Sequence, residues 1–229
     1  MIADAAAFFA KWRESFGPIQ TKELDGINAL LAEMEGRGWQ DRRWWAYVLA
    51  TAWHETASTM APIAEYGKGK GRAYGKPDAA GRAYYGRGFV QLTWQENYAK
   101  LGTLLGIDLV GDPDLALQPG PAAEIMCLGM AEGLFTGKSL GDYFDADTDD
   151  PINARRIVNG TDKAVLIAGY YQKALLCVAA GWGEPKPVDR LAELEAEVAA
   201  LRAEVADWRA WADSVNASID RLEGRRAAA

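Results

Sequence analysis

The chain has 229 residues, 49% of them apolar, enough for one sizeable globular domain plus an appendage. Its 25 Lys+Arg against 32 Asp+Glu give a net charge of −7, which argues against a polyanion-binding surface and so against nucleic acid as a partner. A single histidine cannot join others in a metal cluster, no zinc or other metal site is visible, and no cofactor is implied.

The N-terminus, Met1-Ile-Ala-Asp4, lacks a basic region and a long apolar run, so it does not read as a signal peptide. No stretch is expected to span or insert stably in a membrane. The expected location is therefore the cytoplasm in which the chain is made, with passage outward by some route other than its own leader.

Helices dominate the first part. Asp4 is placed to cap a helix running to about Phe16. Thr21 is placed to cap a second, with Leu24, Ile27, Leu31 and Met34 at helical spacing on one face. Asp41 opens a third, through Trp45, Val48, Leu49 and Ala52, ending near Thr56 with His54 and Glu55 in its last turn. The pattern then breaks. Residues 66 to 88 hold seven glycines and six cations (Lys68, Lys70, Arg72, Lys76, Arg82 and Arg87) against the single acid Asp78. This is a long basic loop, with room for a short hairpin, and such loops are usually functional or mobile.

Helices resume at Thr93, where Thr93-x-x-Glu96 is a capping-box pattern ahead of Tyr98, Leu101 and Leu105. Asp112-Pro-Asp114 is a turn. Further helices are predicted over about 121–134, 139–144, 151–158 and 162–180, with an acidic loop at 145–150. Cys127 and Cys177 lie in apolar helical stretches and read as two buried thiols, not as a disulfide framework.

The domain is expected to occupy residues 1–180, followed by a Gly/Pro linker at 181–188, where two glycines and two prolines stop the helix. Over 189–224, Leu191, Val198, Val205, Ala212 and Ile219 recur every seven residues, and Leu194, Leu201, Trp208, Val215 and Leu222 fill the complementary positions. These are the a and d positions of a coiled coil. The g-to-e pairs Arg190–Glu195, Glu197–Arg202 and Glu204–Arg209 are opposite in sign, which favours a parallel homodimer. A tail helix folded back on its own domain is the alternative. Residues 225–229 read as a disordered tail.

Two carboxylates, Glu55 and Glu65, bracket the entrance to the glycine-rich loop. Glycoside hydrolysis needs such a pair, one to protonate the leaving oxygen and one to activate water or attack carbon. Tryptophans around Glu55 suit a carboxyl that must keep a proton, and the polar, cationic surroundings of Glu65 suit an ionised base.

The sequence resembles the family 19 glycoside hydrolases, which include chitinases and lysozyme-like bacteriophage endolysins. The resemblance runs from about Trp45 to Tyr171. It rests on Ala52-Trp-His-Glu-Thr56, on Tyr84-Tyr-Gly-Arg-Gly-Phe-Val-Gln-Leu-Thr-Trp94 with Asn97-Tyr98, on Gly106-Ile-Asp-Leu109 with Asp112-Pro-Asp-Leu115, and on Ile157-Val-Asn-Gly160. It implies a mainly α, lysozyme-like hydrolase domain with the glycine-rich loop at its cleft.

By position, it implies that Glu55 is the general acid and Glu65 the base of an inverting mechanism. Thr93 would hold the nucleophilic water, with helix capping as a compatible role. Tyr85, Gln91, Asn97 and Asn159 would contact the substrate, with a buried structural amide as the rival reading for Gln91. His54 joins the same cleft group, most simply as a structural residue behind Glu55. Arg87 is counted with the substrate-contacting residues, either pairing with Glu65 or facing solvent, and Tyr84 belongs to the core.

The segment around Glu65 is short, and this sequence is not expected to carry the leader, disulfide cysteines or chitin-binding module common in chitinases. The leading expectation is thus an endolysin that cuts the β-1,4-linked N-acetylmuramic acid–N-acetylglucosamine backbone of peptidoglycan for host lysis, reaching the wall when another protein opens the membrane. A chitinase is the second reading, and a non-catalytic glycan-binding module multimerised by its tail is the third.

Overall fold

A computed structural model describes residues 1–183 and six helical positions of the tail, Val198, Arg202, Val205, Ala206, Trp208 and Arg209. Chain contacts separate Met1–Glu184 from Pro185–Ala229. Of the linker expected at 181–188, Gly181 still belongs to the last helix of the domain and Trp182 bridges to Ile2, while residues 184–188 and most of the expected coiled coil lie outside the described residues. At its described a and d positions, Val198, Val205 and Trp208 are exposed.

The domain is built on six α-helices: α1 (Ala5–Phe16), α2 (Thr21–Gly36), α3 (Arg42–Glu55), α4 (Gln95–Leu105), α5 (Pro119–Ala131) and α6 (Ala164–Gly181). Asp4 caps α1 as expected, accepting from the Ala7 N–H at 2.9 Å. Asp41 likewise caps α3 through the Arg43 N–H. Two predicted caps are corrected. Thr21 is the first residue inside α2, and Gln20 forms the capping box with Glu23. The Thr93–Glu96 box does not form, because Trp94 takes the cap position with φ of 70° and no side-chain cap. On α2 the inward face is Ile27, Leu30, Leu31 and Met34, whereas Leu24 is partly exposed. The helices predicted near 139–144 and 151–158 are 3-10 turns, at Leu140–Asp142 and Asn153–Ile157.

α6 packs on both α3 and α1, and α2 packs on α5. Among the described helices α6 alone is long and apolar enough to cross a membrane by length and composition, which the sequence reading overlooked. In the fold it is a core helix, with Ile167, Tyr171, Ala174, Cys177 and Val178 buried. Both cysteines are buried and unpaired. The first residues close the domain: Ala3 and Asp4 N–H groups donate to the Gly181 carbonyl at 2.8 and 3.0 Å.

The segment after α3 is tight. Ala57, Ser58 and Met60 all have positive φ, and the Thr56 hydroxyl, itself buried, accepts from the Met60 N–H at 3.0 Å. α2 seats this turn through Gly26, where any Cβ would overlap the Met60 carbonyl oxygen. The turn sends the chain into β1 (Ile63–Ala64), which pairs antiparallel with β2 (Arg87–Gly88), Ile63 opposite Gly88 and Ala64 opposite Arg87. The two-strand ribbon thereby closes the glycine-rich loop at its base.

Candidate active site

Glu55 is the last residue of α3, and its side chain is 16% exposed. Its Oε1 accepts from Arg155 Nη1 at 2.5 Å. Arg155 comes from the 3-10 turn at Asn153–Ile157, is 4% exposed, and donates its Nε to the Asp162 carbonyl at 3.1 Å. One carboxylate oxygen is therefore anchored by a buried cation, and Oε2 is left to carry a proton or meet a ligand. His54 packs its ring 6.4 Å from that of Tyr170. Partial burial lowers its pKa, which the Glu55 charge partly offsets, so its ring is neutral at pH 7.

Glu65 follows β1 and is held differently. Its Oε1 accepts from the Tyr74 hydroxyl at 3.0 Å, and its Oε2 accepts from the Gly86 N–H at 3.1 Å. Its own N–H donates to the Gly86 carbonyl at 2.7 Å. A Cβ on Gly86 would crowd the site, lying 2.9 Å from Gln91 Oε1 and 3.3 Å from Glu65 Cβ. The donors on Glu65 are neutral, so the carboxylate is oriented without being bound to a cation. Desolvation and the bond to Glu65 raise the Tyr74 pKa, keeping the phenol protonated as a donor.

Gln91 adopts φ of 53°, and its amide nitrogen donates to the Ile63 and Gly88 carbonyls at 3.1 and 3.2 Å. Its donors thus brace the ribbon, as the structural reading expects, while Oε1 remains on the Glu65 side of Gly86. Thr93 is half-buried. Asn97 is exposed, and its amide nitrogen donates to the Thr93 carbonyl at 2.8 Å. Asn159 is exposed, its Oδ1 accepting from the Gly160 N–H and its own N–H donating to the Arg155 carbonyl at 3.1 Å.

Two substrate-contact expectations are corrected. Arg87 is 4% exposed and pairs with Asp114 at 2.8 Å, not with Glu65. Its guanidinium also donates to the Ala83 carbonyl and the Tyr98 hydroxyl. It lies 3.6 Å from the Tyr85 ring centroid, covering that ring, and Tyr85 is buried too. Both side chains hold the wall of the loop from inside. Tyr84 is buried, its hydroxyl donating to Asp78 at 3.0 Å.

Residues 38–122 match the family model described as chitinase class I, glycoside hydrolase family 19. Over that stretch the chain is similar to the family 19 glycoside hydrolases. The matched stretch contains both Glu55 and Glu65, the ribbon and the glycine-rich loop. Among curated relatives, an "Inactive chitinase-like protein 1" of Hevea brasiliensis is 37% identical over 71 residues, 31% of this chain and 19% of that one. A basic endochitinase of Vitis vinifera is 54% identical over 39 residues, 17% of this chain and 12% of that one. The aligned stretch thus spans no more than about a fifth of these relatives. Chitinase C from Streptomyces griseus superposes with a TM-score of 0.56 at 22% identity, covering 76% of this chain and 78% of that one. A bacterial family 19 chitinase superposes at 0.51 and 21% identity, covering 81% of this chain and all of that one. At these identities the structural likeness establishes the fold.

Three residues of the site have no counterpart among the residues singled out from the sequence. Arg155 is one of two adjacent arginines in a polar turn, and only the structure shows that it is buried while Arg156 is exposed. Tyr74 bonds to Glu65, and Trp94, 46% exposed, packs edge to face on Tyr74 with ring centroids 5.5 Å apart. The signal was an aromatic amid a polar loop. A cavity of about 780 Å³ lies elsewhere, between the start of α3 and α6, where Asp41 pairs with Arg43 and Asp149 accepts from the Tyr171 hydroxyl at 3.0 Å.

Proposed function

We propose that the domain is a family 19 glycoside hydrolase that cuts β-1,4 bonds of the peptidoglycan backbone by inverting acid/base catalysis. The observation that carries this is the unequal holding of two carboxylates. Glu55 has one oxygen anchored on Arg155. When the carboxyl carries its proton, Oε1 still accepts from Arg155 and Oε2 donates toward the leaving oxygen, as a general acid must. Glu65 has both oxygens oriented by neutral donors, which suits a base that takes a proton from water. Thr93 would hold that water. Asn97, Asn159 and the Gln91 amide oxygen would meet the substrate's N-acetyl and hydroxyl groups, and His54 would support Glu55 from behind. The exposed faces of Trp94 and Tyr66 offer stacking surfaces for sugar rings beside Glu65. In a lytic setting the enzyme would act as an endolysin, leaving the host cytoplasm once another protein opens the membrane.

Relatives named endochitinases support chitin as a second substrate reading. The relative named inactive supports binding without cleavage as a third. One assay separates them. Purified peptidoglycan and chitin are incubated with the chain, and products are read by mass spectrometry for new reducing ends. Muropeptides with a new reducing-end sugar are expected. Release of chito-oligosaccharides alone would replace peptidoglycan by chitin, and retention without new ends from either would sink the hydrolase.

We also propose that residues 189–224 make the chain a parallel dimer, supported by the heptad pattern and by the exposed Val198, Val205 and Trp208 at a and d positions. Sedimentation of the full chain should give twice its 24.9 kDa mass, whereas a chain stopped at Gly183 should be a monomer. Equal monomeric behaviour would refute the coil.

A further inference from the structure

The domain belongs to a chain of net charge −7, yet one element beside Glu65 is strongly cationic. Of the six cations in residues 66–88, two are engaged within the fold. Arg87 is buried on Asp114, and Arg82 pairs with Asp78 at 2.9 Å. Asp78 is also occupied, accepting from the Ala80 and Arg82 N–H groups and from the Tyr84 hydroxyl. That leaves Lys68, Lys70, Arg72 and Lys76, all exposed, with no ion pair among the described residues.

These four charges are carried on a built scaffold. Successive turns are closed by Lys68 N–H to the Glu65 carbonyl, Lys70 N–H to Gly67 and Arg72 N–H to Gly69, at 2.9–3.0 Å. Gly69 and Gly75 touch backbone to backbone, since a Cβ on Gly69 would lie 2.7 Å from Gly75 Cα. The 3-10 turn at Ala73–Gly75 then delivers the Tyr74 hydroxyl to Glu65 and its ring to Trp94. The arm is thus fastened to the candidate base, and its cations are arranged before any ligand arrives.

We infer that residues 68–76 form a carboxylate-recognising arm that grips the stem-peptide carboxylates of peptidoglycan as its glycan enters the cleft. This rests on the peptidoglycan reading above. A neutral N-acetylated glycan offers these cations no partner, whereas an acidic one is drawn to them, increasingly so at low ionic strength. The arm therefore sets which N-acetylated glycan the site takes.

Binding without turnover tests the arm. The full chain carrying Glu55→Gln is pelleted with insoluble peptidoglycan sacculi, native or with their carboxylates amidated by carbodiimide coupling, at low salt and at about 0.5 M salt. At low salt, amidation should weaken binding about tenfold, and high salt should remove the difference. Adding Lys68→Gln, Lys70→Gln, Arg72→Gln and Lys76→Gln should bring native sacculi to the amidated level. Equal binding to native and amidated sacculi, with or without salt dependence, would overturn the inference, as would unchanged discrimination in the four-site variant. Reducing-end release by the unsubstituted chain from the same sacculi reports separately on the hydrolase reading. Carboxylate-dependent binding without release would sink that reading and leave the arm standing.

Discussion

Glu55→Gln is expected to lower turnover about a thousandfold, within the range that a positioned general acid supplies. Glutamine has the same shape. Its carbonyl oxygen can take the Arg155 Nη1 bond that Glu55 Oε1 accepts. Its amide can reach toward a leaving oxygen but has no acidic proton to give. The loss should therefore fall on kcat with little change in KM, because sugar contacts are untouched. Arg155 keeps a hydrogen bond but loses its counter-charge, so the variant melts earlier and its kinetics must be read well below that transition. The measurement is initial rate of reducing-end formation on sacculi. A variant that kept about a tenth of wild-type turnover would remove Glu55 from the proton transfer.

Arg155→Met should be the most damaging change to stability near the site. The guanidinium is 4% exposed and the Glu55 side chain 16%, so the methionine would leave a largely buried carboxylate without its partner. Breaking such a pair by removing one member costs about 3 kcal/mol or more. For a domain of this size that corresponds to a fall in Tm of about 6–12 °C. Turnover should fall as well, by about a hundredfold, since Glu55 would lose the group that fixes its rotamer. The double variant Glu55→Gln/Arg155→Met should recover much of the stability, because neither charge is then left unpaired. Denaturant unfolding of the wild type, both single variants and the double variant gives the coupling directly. A loss below about 1 kcal/mol for Arg155→Met, or strict additivity in the double variant, would show that the pair does not hold the end of α3.

The paired-carboxylate reading shows where local sequence is informative. Glu55 was legible because a capped, apolar-periodic helix ends on it and its neighbours form a recognisable motif. Glu65 was legible as the next acid before a loop of unusual composition. What each carboxylate touches was not legible. Arg155 is one hundred positions from Glu55, and nothing in a polar turn announces a partner that far away. The error over Arg87 has the same origin. An arginine between glycines in a basic loop reads as a solvated or substrate-facing charge, yet the ribbon turns it inward onto Asp114 and Tyr85. The missing Thr93–Glu96 box is a local failure: the chain enters α4 through a left-handed Trp94, and no capping residue can act from a position that is already one step outside.

The sequence by itself determined the mainly helical order, the caps at Asp4 and Asp41, the buried thiols and the interruption at residues 66–88, because each follows from side-chain chemistry over a few consecutive positions. Tertiary structure alone decided which cations are free and which are buried. It also decided that Arg155 anchors Glu55 and that Tyr74 ties the glycine-rich loop to Glu65. Those outcomes depend on burial and on partners distant in the chain, where desolvation makes an unpaired charge costly enough to select its neighbour.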